Sequence, residues 1–144
     1  MSFRLILPLN LFTEMVEHAR TDRPNECCGI LAGVVSEGIG LVQRRYPLVN
    51  SLASPTEYEA EPRSLLAAYR EIHSLSLEIL AIYHSHPTTH PIPSKKDLER
   101  LFSEEVICVI LSLIVDPPEV RAWWLTATDY REAEWSVEGS ADPS

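Results

Sequence analysis

The stretch Ile79-Leu80-Ala81-Ile82-Tyr83-His84-Ser85-His86-Pro87 decides how this chain is read. Five apolar residues run without a polar break into two histidines one residue apart. An apolar run of this length, leading to a proline, reads as a strand buried on both faces. Side chains alternate along a strand, so His84 and His86 share one face. Ser85 then points to the opposite face, into a supporting role. Eleven positions beyond His86, after Pro93-Ser94-Lys95-Lys96, stands Asp97. Two imidazoles at the end of a buried strand and a carboxylate on the next element make three metal ligands. That is one short of a closed tetrahedral zinc site, and a catalytic zinc needs the open fourth position for water. The same two-histidine, one-carboxylate set suits non-haem iron, so spacing leaves the metal open.

Part of this pattern has a purely structural reading. Ser94 suits the N-cap of a helix, with Asp97 at its third position. That role is compatible with a site, because a cap residue stands at an exposed helix start. The histidine pair is harder to explain structurally. A second imidazolium beside the first is unfavourable, and a metal ion removes the conflict.

Outward from this strand, hydrophobic spacing sets the remaining elements. Phe3 to Leu7 reads as a first strand. Asn10 is expected to cap a helix with Phe12, Met15, Val16 and Ala19 on its apolar face. Cys28 to Val35 and Leu41 to Val49 read as strands, with Gly29 and Gly33 allowing close backbone approach. Ser51 to Glu61 is irregular. Pro62 opens a helix with Leu65, Leu66, Tyr69 and Ile72 on one face. A short helix is expected over 94–102, then strands over 106–115, 120–125 and 130–137. The adjacent Trp123 and Trp124 should face opposite ways, with core packing preferred to a partner patch. These elements make an α/β (α+β) domain with a single mixed β-sheet flanked by helices.

Composition narrows the class. The chain has 144 residues, enough for one domain with a sizeable core. A formal net charge of −9 argues against a general nucleic-acid binder. Three cysteines, Cys27, Cys28 and Cys108, make a poor disulfide framework and read as reduced and buried. The apolar N-terminal stretch is broken by Arg4, Pro8 and Asn10 and lacks a signal-peptide core. The run from Val106 to Val115 is too short to span a bilayer. A cytoplasmic location, with no membrane and no nucleic-acid partner, is the expectation.

The run His84-Ser85-His86-Pro87, then Ser94 and Asp97, resembles the JAMM motif of the JAB/MPN zinc metalloproteases. Ten residues, Pro87 to Lys96, separate His86 from Asp97, which is that family's spacing. The upstream segment Pro24-Asn25-Glu26-Cys27-Cys28-Gly29-Ile30-Leu31-Ala32-Gly33 is similar to the family's glutamate segment. The resemblance implies a JAMM/MPN-like metalloprotease domain over 1–138, with cytidine-deaminase-like layering, and a flexible tail over 139–144. It implies zinc held by His84, His86 and Asp97. Glu26 becomes the acid and base acting on water, and Ser94 a donor to the oxyanion. It also implies a peptidase or isopeptidase of the stand-alone prokaryotic type. Its substrate would be the C-terminal tail, ending in Gly-Gly, of a ubiquitin-like or sulfur-carrier protein. A homodimer is left open.

The alternatives are a non-catalytic MPN-type interaction scaffold, a JAMM hydrolase with an unrelated peptide substrate, and an iron oxygenase. The metal ligands are expected at an edge of the fold rather than in its core. His90 falls in the spacer and reads as a rim residue. His18 and His73 fall on helices away from the motif and read as structural or surface residues.

Overall fold

The computed structural model describes residues 2–139. The chain runs β1 (Arg4–Pro8), α1 (Leu9–Asp22), β2 (Cys28–Ser36), β3 (Ile39–Leu48), α2 (Pro62–Ser74) and β4 (Glu78–His86). It continues through α3 (Lys95–Glu99), β5 (Ile107–Ser112), β6 (Glu119–Leu125), β7 (Tyr130–Glu132) and β8 (Trp135–Glu138). All eight strands form one mixed sheet in the order β7-β6-β5-β4-β2-β3-β1-β8. β4 runs parallel to β5 and antiparallel to β2, with Cys28 opposite His84.

The burial of each strand follows its place. β1 alternates, with Leu5 and Leu7 buried and their neighbours partly exposed. β5, inside the sheet, is buried at all six positions, as its continuous apolar sequence requires. One face carries Leu5, Leu31, Tyr83, Val109 and Leu111 with Met15 and Ala19 of α1. On the other, Ile30 and Cys28 pack with Ala68 and Ile72 of α2, while Ile110 and Cys108 pack near Leu98 and Leu101. Trp124 belongs to the first face and Trp123 to the second, so both tryptophans serve the core. Gly29 is required sterically, because a Cβ there would overlap the Tyr83 ring. At Gly33 a Cβ would collide with the Leu41 carbonyl, beside a register shift between Ala32 and Gly33.

Four expectations need correction. Asn10 does not cap α1: the helix begins at Leu9, directly after Pro8, with no side-chain cap. The strand runs straight into the helix, so Asn10 already lies in its first turn. The helix after Ser94 ends at Glu99, where the N–H of Arg100 bonds to the Lys96 carbonyl. The predicted last strand is two strands. Its first half pairs with β6 and its second with β1, bridged by bonds from Ala133 N to Ala122 O (2.9 Å) and Leu5 N to Glu134 O (3.0 Å). The sheet therefore curls until its two ends meet through one segment, and Phe3 packs edge-on against Trp124 at 5.2 Å. Lastly, β4 lies inside the sheet between β2 and β5, so the histidines are not at an edge. Of the expected tail, residues 140–144 lie outside the described residues. Among the described residues, no helix is long and apolar enough to cross a membrane.

Candidate metal centre

β4 emerges from the core carrying His84 and His86 on the α2–α3 face, 0 % and 4 % exposed. Their Nε2 atoms stand 3.2 Å apart. Asp97, in the first turn of α3, places Oδ1 3.1 Å from His84 Nε2 and Oδ2 3.2 Å from His86 Nε2. One ligand atom from each residue lies within 4.8 Å of the others, a group that could hold a metal ion. Tetrahedral zinc, with Zn–N of about 2.0–2.1 Å, sets neighbouring ligand atoms roughly 3.3 Å apart. The donor set and its spacing fit that ion.

The outer partners fix how each ligand points. The His90 carbonyl can only accept, so His86 Nδ1 donates to it at 2.8 Å and leaves the Nε2 lone pair facing the centre. His84 turns Nδ1 toward the Cys108 sulfur at 3.8 Å, and its ring stacks on Tyr58 at 4.8 Å. Ser94 and Asp97 form a capping box: Ser94 N donates to Asp97 Oδ2 at 2.9 Å, and Asp97 N donates to Ser94 Oγ at 3.1 Å. The cap thus aims the carboxylate as well as starting the helix. Burial opposes a charge on Asp97, but His84, His86 and the Ser94 N–H outweigh it and hold the carboxyl well below its usual range. Burial likewise opposes charge on His84, yet Asp97 raises that imidazole well above its ordinary value. A metal cation between these groups would take the place of that proton.

Glu26 precedes Cys28, the residue paired with His84. It is 5 % exposed, and its Oε1 has no hydrogen-bond partner among the described residues. Burial pushes its carboxyl up to about 7, against the pull of His84 and His86. A carboxyl poised there exchanges protons near neutrality. Its backbone is clamped on both sides. Glu26 N donates to Ser54 O at 2.8 Å, and Asn50 Nδ2 donates to Glu26 O at 3.0 Å. Asn50 Nδ2 also reaches Glu57 O (2.9 Å), while its Oδ1 accepts from Leu52 N and Glu59 N (both 3.1 Å). The segment 50–61 is in turn tied to α3 and its C-cap: Glu57 Oε1 lies 3.4 Å from Lys96 Nζ and 3.2 Å from Arg100 Nη2.

The structure brings Glu26, His84, His86, Ser94 and Asp97 to one end of β4. Ser85 faces the other way, and its Oγ accepts from Cys27 N at 2.8 Å. His73 is exposed, and His90 contributes its carbonyl while remaining exposed. His18 lies on α1 and has the structural role expected of it. It bonds to Tyr83 Oη at 2.6 Å and lines a cleft together with Glu26. Burial pushes the Cys27 and Cys28 thiols up to about 11 and about 12, which removes them as nucleophiles at neutral pH. Sequence reasoning missed Asn50 and Tyr58. An asparagine at the junction of a strand and an irregular segment was the available signal for the first; Tyr58 had none.

Residues 8–126 match the family model for prokaryotic homologs of the JAB domain. The chain belongs to the JAB family. This JAB-domain chain is 34 % identical over 108 residues to a "CysO-cysteine peptidase" of Mycobacterium tuberculosis, covering 75 % of it and 73 % of that relative. It is 32 % identical over 144 residues to a "Desampylase" of Haloferax volcanii, covering 95 % and 99 % of the two chains. The solution structure of a protein from Desulfitobacterium hafniense superposes with a TM-score of 0.85 at 30 % identity, covering 94 % of each chain. The JAB fold accounts for the curled mixed sheet and for the element order around the centre.

Proposed function

We propose that this JAB-domain chain is a zinc-dependent peptidase or isopeptidase acting on the C-terminal tail of a ubiquitin-like or sulfur-carrier protein. The observation that carries the reading is the convergence of His84 Nε2, His86 Nε2 and the Asp97 carboxylate near the buried Glu26, whose Oε1 has no hydrogen-bond partner among the described residues. His84, His86 and Asp97 would hold the zinc, which supplies Lewis acidity and lowers the pKa of water to about 7. Glu26 accepts the proton of the attacking water and returns it to the departing nitrogen. The Ser94 hydroxyl already accepts from Asp97 N, and a hydroxyl that accepts keeps its own hydrogen to donate. That hydrogen is the proposed donor to the oxyanion.

The relatives named for peptidase and desampylase activity support hydrolysis, and their names support a carrier-type substrate. A non-catalytic scaffold has no use for a buried carboxylate without a partner. An oxygenase is disfavoured by the family. Three free cysteines suit a cytoplasmic location. Elemental analysis should find one zinc per chain, and the zinc protein should hydrolyse a Gly-Gly-ending carrier fused to a reporter. Full activity in protein stripped of metal by a chelator would sink the reading.

A further inference from the structure

Between His86 and Ser94 the chain crosses seven residues, 87–93, that belong to no helix or strand. Thr88, Thr89, His90 and Ile92 are exposed. Three consecutive carbonyls of this spacer are nevertheless held from inside, each by a side chain of a different strand. Ser112 Oγ of β5 donates to Thr89 O at 2.6 Å, His86 Nδ1 of β4 to His90 O at 2.8 Å, and Trp123 Nε1 of β6 to Pro91 O at 2.9 Å. All three donor residues are buried. Chemistry fixes the direction of these bonds. The indole N–H can only donate, and the Ser112 hydroxyl accepts from Ile114 N at 3.4 Å, which leaves its own hydrogen for Thr89. The His90 carbonyl also accepts from Ile92 N at 2.8 Å, so both of its lone pairs are used.

An exposed segment without regular structure ordinarily moves. Here the metal centre depends on its staying still. Asp97 comes from α3, a helix of five residues, too short to hold itself in place. The ion pairs of Lys96 and Arg100 with Glu57 are partly exposed and lead to another irregular segment. The direction of the Asp97 carboxylate therefore follows the path of the chain from His86 to Ser94. The His90 carbonyl, midway along that path, also keeps the hydrogen of His86 on Nδ1. The carbonyls on either side of it are pinned by Ser112 and Trp123. On the zinc reading given above, we infer that Ser112 and Trp123 are positioning residues of the centre. Through the backbone of Thr89 and Pro91 they hold the His90 acceptor against His86 and set the path that brings Asp97 to the metal. Donors that served only the fold would stabilise the chain and leave its affinity for zinc unchanged.

The test measures zinc affinity, by competition with a chromophoric chelator, in Ser112→Ala and in Trp123→Phe, which keeps an aromatic ring without the N–H. Val109→Ala is the control, since Val109 lies on the same strand as Ser112 and packs in the opposite core. Loss of a direct outer partner costs about 10–100-fold in metal affinity, and each of these variants, one bond further out, should weaken zinc at least about threefold. Val109→Ala should lower stability in urea and keep wild-type zinc affinity. The second readout is exchange of the His86 Nδ1 hydrogen with solvent, followed by NMR, which should quicken several-fold in both variants and not in the control. Wild-type zinc affinity in either folded variant overturns the inference, and so does an equal weakening in Val109→Ala. Should Trp123→Phe fail to fold, Ser112→Ala decides alone. If the wild type takes up no zinc, the metal reading fails by itself, and hydrogen exchange in the metal-free protein decides the clamp. A faster rate in the variants than in the control then upholds the hold on His86, and an unchanged rate overturns it.

Discussion

Asn50 donates its side-chain amide to the backbone carbonyl of Glu26 at 3.0 Å, from a position 24 residues further along the chain. The same amide bonds to Glu57 O, and its oxygen gathers the N–H groups of Leu52 and Glu59. All four hydrogen-bonding positions of this buried amide are filled. The donor half holds Glu26, and the acceptor half folds the segment on itself.

That division predicts different consequences for two replacements. Asn50→Ala leaves four backbone groups without their partner and should cost on the order of 1–3 kcal/mol of stability. Asn50→Asp keeps the acceptor half and loses the donors to Glu26 and Glu57. It should retain zinc by elemental analysis and lose about tenfold or more in kcat with KM little changed, because the carboxylate is displaced and not the tail-binding surface. Unaltered kcat in Asn50→Asp would show that the clamp does not position Glu26.

Removing either imidazole should empty the centre. His84→Ala and His86→Ala are each expected to lose zinc, measured by elemental analysis after dialysis. The histidines are buried on an inner strand, so these variants should also lose about 1–3 kcal/mol in urea denaturation. Full zinc occupancy in both would refute the ligand assignment.

Glu26→Gln separates catalysis from metal binding. It should keep its zinc and lose about 10²–10⁴-fold in turnover. The same variant carries a pH signature in metal-stripped protein. The folded carboxyl lies at about 7 against an ordinary 4.5, so the unfolded chain releases this proton first as pH rises. The stability it contributes is present below about pH 4.5 and is lost as pH climbs through 7. Glu26→Gln should therefore gain on the wild type between those values, by up to about 3 kcal/mol. A difference between the two proteins that does not change with pH would contradict the burial assigned to this carboxyl.

Ser94 caps α3, so its catalytic part must be read apart from stability. Ser94→Ala should cost about 1 kcal/mol, and Ser94→Gly only a few tenths. If the hydroxyl also donates to the oxyanion, both variants lose about 10²–10³-fold in turnover. Recovery of activity along with stability in Ser94→Gly would leave Ser94 a cap alone.

The grouping of His84, His86 and Asp97, which could hold a metal ion, was legible in the sequence because these residues lie in local patterns, whereas Glu26 was singled out only by the resemblance of its segment to the family's. Alternation along β4 puts His84 and His86 on one face, and a capping box places Asp97 one turn into α3. The buried strands were legible for the same reason, since apolar runs and glycines report their own surroundings. Other features depend on residues far apart in the chain. Alternation in 130–137 looks the same whether the strand pairs with one neighbour or two, and only the curl of the sheet splits it between β6 and β1. Nothing near Asn50 says that it will hold Glu26, and nothing near Tyr58 says that its ring will lie on His84. His18 joins Glu26 in one cleft because α1 packs against β3, whose Pro47 and Leu48 line the same cleft. Local periodicity determines which face a side chain takes, whereas the partner it meets there is chosen by packing between segments that share no local pattern.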